Sequence, residues 1–230
     1  MDVGRLARTA MVYGSMACGT LVLTPFITAC ALAGRVSGAD AAIRLWSRAL
    51  MRTFGVRREV IGAEHAAGLG ACVILSSHRS HLDGPLLLCA LPLDFAFVIK
   101  RSLARIPVWG FGVTRAGYVA IDRHDRADSV AGFRRAASAI RAGRRVLVFP
   151  EGTRSKTDDF LPFKKGGAIL AIEAGVPVLP VAVAGTQALL PSGSFTAAPG
   201  RAVVAIGKPI PTTGLTYDDR DRLLADVEAE

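Results

Sequence analysis

The chain has 230 residues, 51% of them hydrophobic, and 28 lysines and arginines against 19 acids give it a formal net charge of +9. That length suits one domain around one sizeable core, and a basic, apolar chain suits anionic lipid or phosphorylated small molecules. Few aromatics and no zinc-finger, RNA-binding or helix-turn-helix signature argue against nucleic acid. The cysteines, Cys18, Cys30, Cys72 and Cys89, form no close-spaced pair, which argues against a disulfide scaffold or zinc site and fits a reducing, cytoplasmic setting.

From Thr9 to Gly34 run 26 residues without a charge. As one helix they would measure roughly 39 Å, more than a bilayer's hydrocarbon core requires. Pro25 removes a helix hydrogen bond, so the segment reads as a kinked span or as two half-helices that dip in and return. A signal peptide, with Ile27-Thr28-Ala29-Cys30 as a lipoprotein-like cleavage site, and a buried hairpin of a soluble protein are the competing readings. Next, Ala42, Leu45, Trp46, Ala49, Leu50, Thr53 and Phe54 fall on one helical stripe, with Arg44, Arg48 and Arg52 on the other side. A basic amphipathic helix of this kind suits a lipid headgroup layer, although an ordinary helix packed on a core has the same pattern. Arginines are denser after residue 34 than before residue 9, which puts the body on the cytoplasmic side of the inner membrane. The expected division is therefore 1–54 as membrane-associating helices and 55–230 as the catalytic body.

Beyond residue 55 short apolar runs alternate with helical patterns, as in an α/β domain whose mostly parallel mixed sheet is flanked by helices. Expected strands are 56–61, 72–76, 95–99, 118–121, 145–149, 178–183 and 202–206. Expected helices are 84–91, 127–142, 164–174 and 217–228, and 191–200 reads as a surface loop. Open α/β sheets place ligand sites at strand ends, and two polar segments sit there.

The first is His78-Arg79-Ser80-His81-Leu82-Asp83. His78 follows a buried strand, and Asp83 falls at a helix start, within reach of the ring. A carboxylate on one ring nitrogen leaves the other free as a base and stabilises the imidazolium formed later. A lone histidine is more often a satisfied structural residue. Metal ligation by His78, His81 and Asp83 is the other alternative, with weak geometry on an irregular turn.

The second segment, about 70 residues on, is Phe149-Pro150-Glu151-Gly152-Thr153-Arg154-Ser155. Glycine allows close backbone approach, and arginine offers a fork of donors to phosphate. Glu151 reads as a residue that orders the turn, through an arginine or through backbone amides.

In this order and spacing the two segments resemble the signature of the glycerolipid acyltransferases. Gly117-Tyr118-Val119-Ala120-Ile121-Asp122-Arg123 is similar to that family's middle block, and Val176-Pro177-Val178-Leu179-Pro180-Val181 to its last. The likeness extends over about residues 55–210 and includes Phe163-Lys164-Lys165-Gly166-Gly167. It implies His78 as general base and Asp83 as its partner, with direct attack of an acceptor hydroxyl on an acyl thioester. It implies Lys100, Arg123, Glu151, Gly152, Thr153 and Arg154 as acceptor-binding residues. Ser77 departs from the family, which often has asparagine there.

The implied reaction carries a fatty acyl chain from acyl-CoA or acyl-carrier protein to the sn-2 hydroxyl of 1-acylglycerol 3-phosphate, with no metal or bound cofactor. Other lyso-lipids, lyso-ornithine lipid included, are alternative acceptors. A hydrolase or phosphatase in which His78 activates water is the reading from another class, and a non-catalytic lipid-binding protein is a third.

Overall fold

The computed structural model describes residues 3–122, 124–155, 159–194 and 196–230. Its first element, α1 (Val3–Leu32), is one continuous helix that carries Pro25 within it. Proline costs the bond to the Leu21 carbonyl, but the chain neither turns back nor breaks. Thr9–Leu32 is long and apolar enough to cross a membrane, with a mean hydropathy of 1.7.

Helix α2 (Val36–Phe54) follows a three-residue connection and ends on Gly55 in the left-handed region. Its buried face holds Ala39, Ile43, Ser47, Leu50, Met51 and Phe54, whereas Leu45 is 60% exposed. The stripe expected from the sequence is thus rotated. Arg44 explains much of the difference. Instead of lining a solvated side, it donates to the carbonyls of Leu88, Leu91 and Leu93 and to Asp94. Arg48 and Arg52 are exposed as expected. Arg44→Met should cost about 1–3 kcal/mol by orphaning buried carbonyls, read as a drop in thermal unfolding temperature.

The body follows as β1 (Val56–Ile61), β2 (Val73–Ser76), α3 (Asp83–Ala90), β3 (Ala96–Lys100), α4 (Arg101–Ala104), α5 (Trp109–Arg115) and β4 (Val119–Ile121). Then come α6 (Arg126–Arg141), β5 (Val146–Val148), α7 (Gly166–Ala174), β6 (Val178–Ala184), α8 (Thr186–Leu189), β7 (Gly200–Ile206) and α9 (Arg220–Ala229). The seven strands form one sheet, ordered β1-β7-β6-β2-β5-β3-β4. All neighbours are parallel except β6 and β7.

Alternation along the strands divides the core. Ile74 and Leu147 face α1, α2 and α3, while Val73, Leu75, Val146 and Val148 face α6, α7 and α9. Strands apolar on both faces are what helices on both sides require. The expected helix at 217–228 is instead a short 3-10 turn, Tyr217–Asp219, followed by α9. Thr216 and Asp219 cap that turn reciprocally, which holds its first residues out of the α-helix. Helices α4 and α8 had no sequence signal, being four residues each, nor had α5, which is short and carries Gly110 and Gly112.

Candidate active site

Strands β2, β3 and β5 run parallel, so their C-terminal ends share one edge of the sheet. His78 leaves β2 there, Lys100 ends β3, and Glu151 follows β5. Ser77 sets the exit of β2. Its amide donates to Val181 O at 3.2 Å and its hydroxyl accepts from Val183 N at 2.8 Å. A side chain thereby replaces one rung of the ladder as β2 and β6 part.

Asp83 opens α3 and is fully buried. Its Oδ2 accepts from the amides of Arg79 at 2.6 Å and Ser80 at 2.8 Å, and Nδ1 of His78 lies 2.9 Å away. Its Oδ1 accepts from Thr186 Oγ1 at 2.6 Å. A carboxylate among donors can only accept, so His78 carries its proton on Nδ1 and leaves Nε2 as the basic nitrogen. Those oxygens are committed to protein donors, which removes Asp83 from the metal-ligand set weighed above. The His78 ring is stacked on Phe149, 3.9 Å between centroids at 15°, and this limits its tilt.

The second segment clamps the first. Glu151 is 2% exposed. Its Oε1 accepts from the His78 amide at 2.7 Å and its Oε2 from the Leu161 amide at 3.1 Å. Ser155 N donates to His78 O at 2.8 Å. The His78 backbone is thus held on its amide side by a carboxylate 73 positions away and on its carbonyl side by the Ser155 amide. Both oxygens of Glu151 are engaged by backbone amides, which is the ordering of the turn that the sequence also offered for this residue. Arg79 lays its guanidinium over the Phe160 ring at 5.1 Å and donates to Asp159 O, which tethers the stretch that Glu151 also holds at Leu161.

Gly152 takes φ +70°, and a Cβ there would meet Lys164 Nζ at 2.7 Å. The turn therefore needs glycine for its dihedral, and the lysine end lies directly against it. Thr153 and Lys100 are exposed, and Arg154 is half-buried. Nη1 of Arg154 is buried without a hydrogen-bond partner, a donor left for a ligand. Arg123 lies outside the described residues. Its neighbour Asp122 is held by Asp128, which accepts from the Asp122 amide and from Arg101, so the turn of the middle block is tied to the end of β3.

His81 stands at the mouth of the site. Burial first, and then the positive charge of Arg154, hold its pKa below the usual histidine value, with the neighbouring His78 adding to this and Asp83 offsetting part of it. Replacing Arg154 with methionine should therefore raise the His81 pKa, which its imidazole resonance in an NMR titration would read.

Behind His78 an apolar cavity of about 310 Å³ runs between α1, α2 and the body, lined by Leu23, Ile27, Trp46, Leu88, Val113 and Phe149 among others. Its walls come from both N-terminal helices and from α3, β3 and α5, so the pocket exists only because those helices pack on the sheet. Thr186 escaped sequence reasoning, and Phe149 was visible in the second segment without its stacking on His78. Gly185-Thr186 after an apolar strand is the same kind of strand-end signal as Glu151-Gly152, but its partner lies 103 positions away.

A histidine oriented by a buried carboxylate, opening on an apolar cavity and flanked by arginine, has the features of an enzyme that does acid–base chemistry on a substrate with an apolar chain. Residues 57–184 match the family model described as Acyltransferase. The chain is 33% identical over 194 residues to human 1-acyl-sn-glycerol-3-phosphate acyltransferase alpha, covering 84% of this chain and 69% of that one. It is 35% identical over 152 residues to the chloroplastic 1-acyl-sn-glycerol-3-phosphate acyltransferase BAT2 of Brassica napus, covering 66% and 44%. Its fold is similar to the crystal structure of PlsC, the 1-acyl-sn-glycerophosphate (LPA) acyltransferase of Thermotoga maritima. The TM-score is 0.81 at 25% identity, over 98% of this chain and 95% of that one. The chain belongs to the acyltransferase family.

Proposed function

We propose that the enzyme transfers a fatty acyl group to the sn-2 hydroxyl of 1-acylglycerol 3-phosphate, giving phosphatidate. The observation that carries this reading is the His78–Asp83 pair at the mouth of an apolar cavity, beside the unsatisfied Arg154 donor. The names of the relatives agree with it. Nε2 of His78 takes the proton of the acceptor hydroxyl as its oxygen attacks the thioester carbonyl. The tetrahedral intermediate then expels the thiolate, which recovers the proton from the imidazolium. No serine or cysteine nucleophile and no metal or bound cofactor enters the scheme. The donor is acyl-CoA or acyl-carrier protein, which end in the same thioester arm.

The apolar cavity suits one of the acyl chains, since it offers carbon on nearly every side. Arg154, with Lys100, Thr153, Gly152 and Arg123, is the acceptor-phosphate set in this proposal. Arg154→Ala should raise KM for lysophosphatidate by the equivalent of roughly 1.5–3 kcal/mol, with a smaller change in kcat. Residues 1–54 attach the enzyme to the membrane, with residues 55–230 as the catalytic body on the cytoplasmic face. The length of α1 and the arginines after it support that arrangement.

The test is acyl transfer by the membrane fraction to lysophosphatidate, glycerol 3-phosphate and lyso-ornithine lipid, offered separately. Product with lysophosphatidate alone is expected. Product only with the phosphate-free acceptor would keep His78 and Asp83 but overturn the phosphate set.

A further inference from the structure

The stretch between β3 and β4 carries apolar side chains that the fold does not cover. Leu103 is 42% exposed, Ile106 44%, Val108 54% and Phe111 44%. Single exposed apolar residues are ordinary, but four within nine residues make a patch.

Its backbone makes the exposure more telling. Val108 is the one non-glycine with positive φ among the described residues, at φ 63° and ψ −55°. Trp109 N donates to Pro107 O at 2.6 Å across it. That is the tight three-residue turn which is rare and strained, more so around a β-branched centre. The turn is held from below. A Cβ on Gly110 would stand 2.1 Å from Ala104 O, so α5 is pressed onto α4. The result presents an isopropyl group outward, which gains a protein in water nothing.

The patch continues the open face of α1. Thr28 Oγ1 donates to Val108 O at 3.4 Å, and a Cβ on Gly112 would meet Thr28 Oγ1 at 2.6 Å. Leu21 and Leu32 lie on the helical stripe of Thr28 and are 75% and 60% exposed. Charge then selects the occupant. Residues 101–117 contain Arg101, Arg105 and Arg115 and no acid. Arg101 is spent on Asp128, whereas Arg105 and Arg115 are exposed at the rim, with the Arg115 guanidinium 5.2 Å over the Phe111 ring. Apolar side chains at the centre with arginines at the edge match the boundary between acyl chains and anionic headgroups.

We propose that the segment from Leu103 to Phe111 is a second lipid-contacting element, which rests in the surface of an anionic bilayer beside α1. It broadens the attachment beyond α1 alone, so that the sheet edge bearing His78 keeps one orientation to the membrane. This does not depend on which acceptor the enzyme uses.

The test uses the full chain with Trp46→Phe and Trp109→Phe, so that Phe111→Trp introduces the sole indole. The protein is reconstituted in vesicles of phosphatidylcholine and phosphatidylglycerol with bromines high on the acyl chains. Contact at a depth of about 5–10 Å should quench the fluorescence about twofold or more and protect it from acrylamide. Val130→Trp in the same background, on the opposite side of the sheet, should show neither effect. Ile106→Trp serves as a second position should Phe111→Trp unfold. An indole that acrylamide reaches and bromolipid does not quench would overturn the proposal. So would an indole shielded from both, which would mean a protein partner on the patch.

Discussion

Replacing His78 with alanine is expected to lower turnover by about a hundred- to ten-thousand-fold, the range a positioned general base supplies. Folding should survive, because Asp83 keeps three of its donors, the amides of Arg79 and Ser80 and the hydroxyl of Thr186. A buried carboxylate so held is not orphaned by loss of the ring. The gap left beside Phe149 adjoins the cavity and opens to solvent or lipid. Thermal unfolding close to wild type together with collapsed kcat is therefore the expected pair of results. Near-normal kcat would show that the reacting proton leaves by another route.

Glu151→Gln comes second, and here an isosteric change should behave as a severe one. Both carboxylate oxygens face backbone N–H groups, His78 on one side and Leu161 on the other. A glutamine has one carbonyl oxygen and one NH2, so either orientation sets a donor against a buried donor. The expected cost is about 1–3 kcal/mol of stability. Turnover should also fall, by about tenfold to a hundredfold, because displacement of the His78 backbone misaims the ring. The change should appear in kcat with KM for the acceptor nearly unchanged. A rise in KM alone would mean that Glu151 contacts the acceptor.

The strand pattern was readable because both faces of the sheet are covered, so each strand is a compact apolar run. β1 falls where expected, and the other strands fall within two residues of it. Their spatial order was not readable, since β6 pairs with β2 and β7 by contacts among residues far apart in sequence. The His78–Asp83 pair was legible because its members are five positions apart on one turn. Thr186 was not, being brought to Asp83 only by the path of β6. Periodicity placed α2 but misjudged its face, because the buried contacts of Arg44 with three carbonyls rotate the helix toward α3. Hydropathy could not foresee that an arginine would be half of the docking.

The most direct measurement follows free thiol and phosphatidate together, with purified enzyme, acyl-CoA and lysophosphatidate, and repeats the run without acceptor. Direct attack by the acceptor hydroxyl predicts one thiol for each phosphatidate and no thiol release when lysophosphatidate is omitted. Thiol released at a comparable rate without acceptor would show that His78 activates water, and would contradict the account of this site as an acyltransferase.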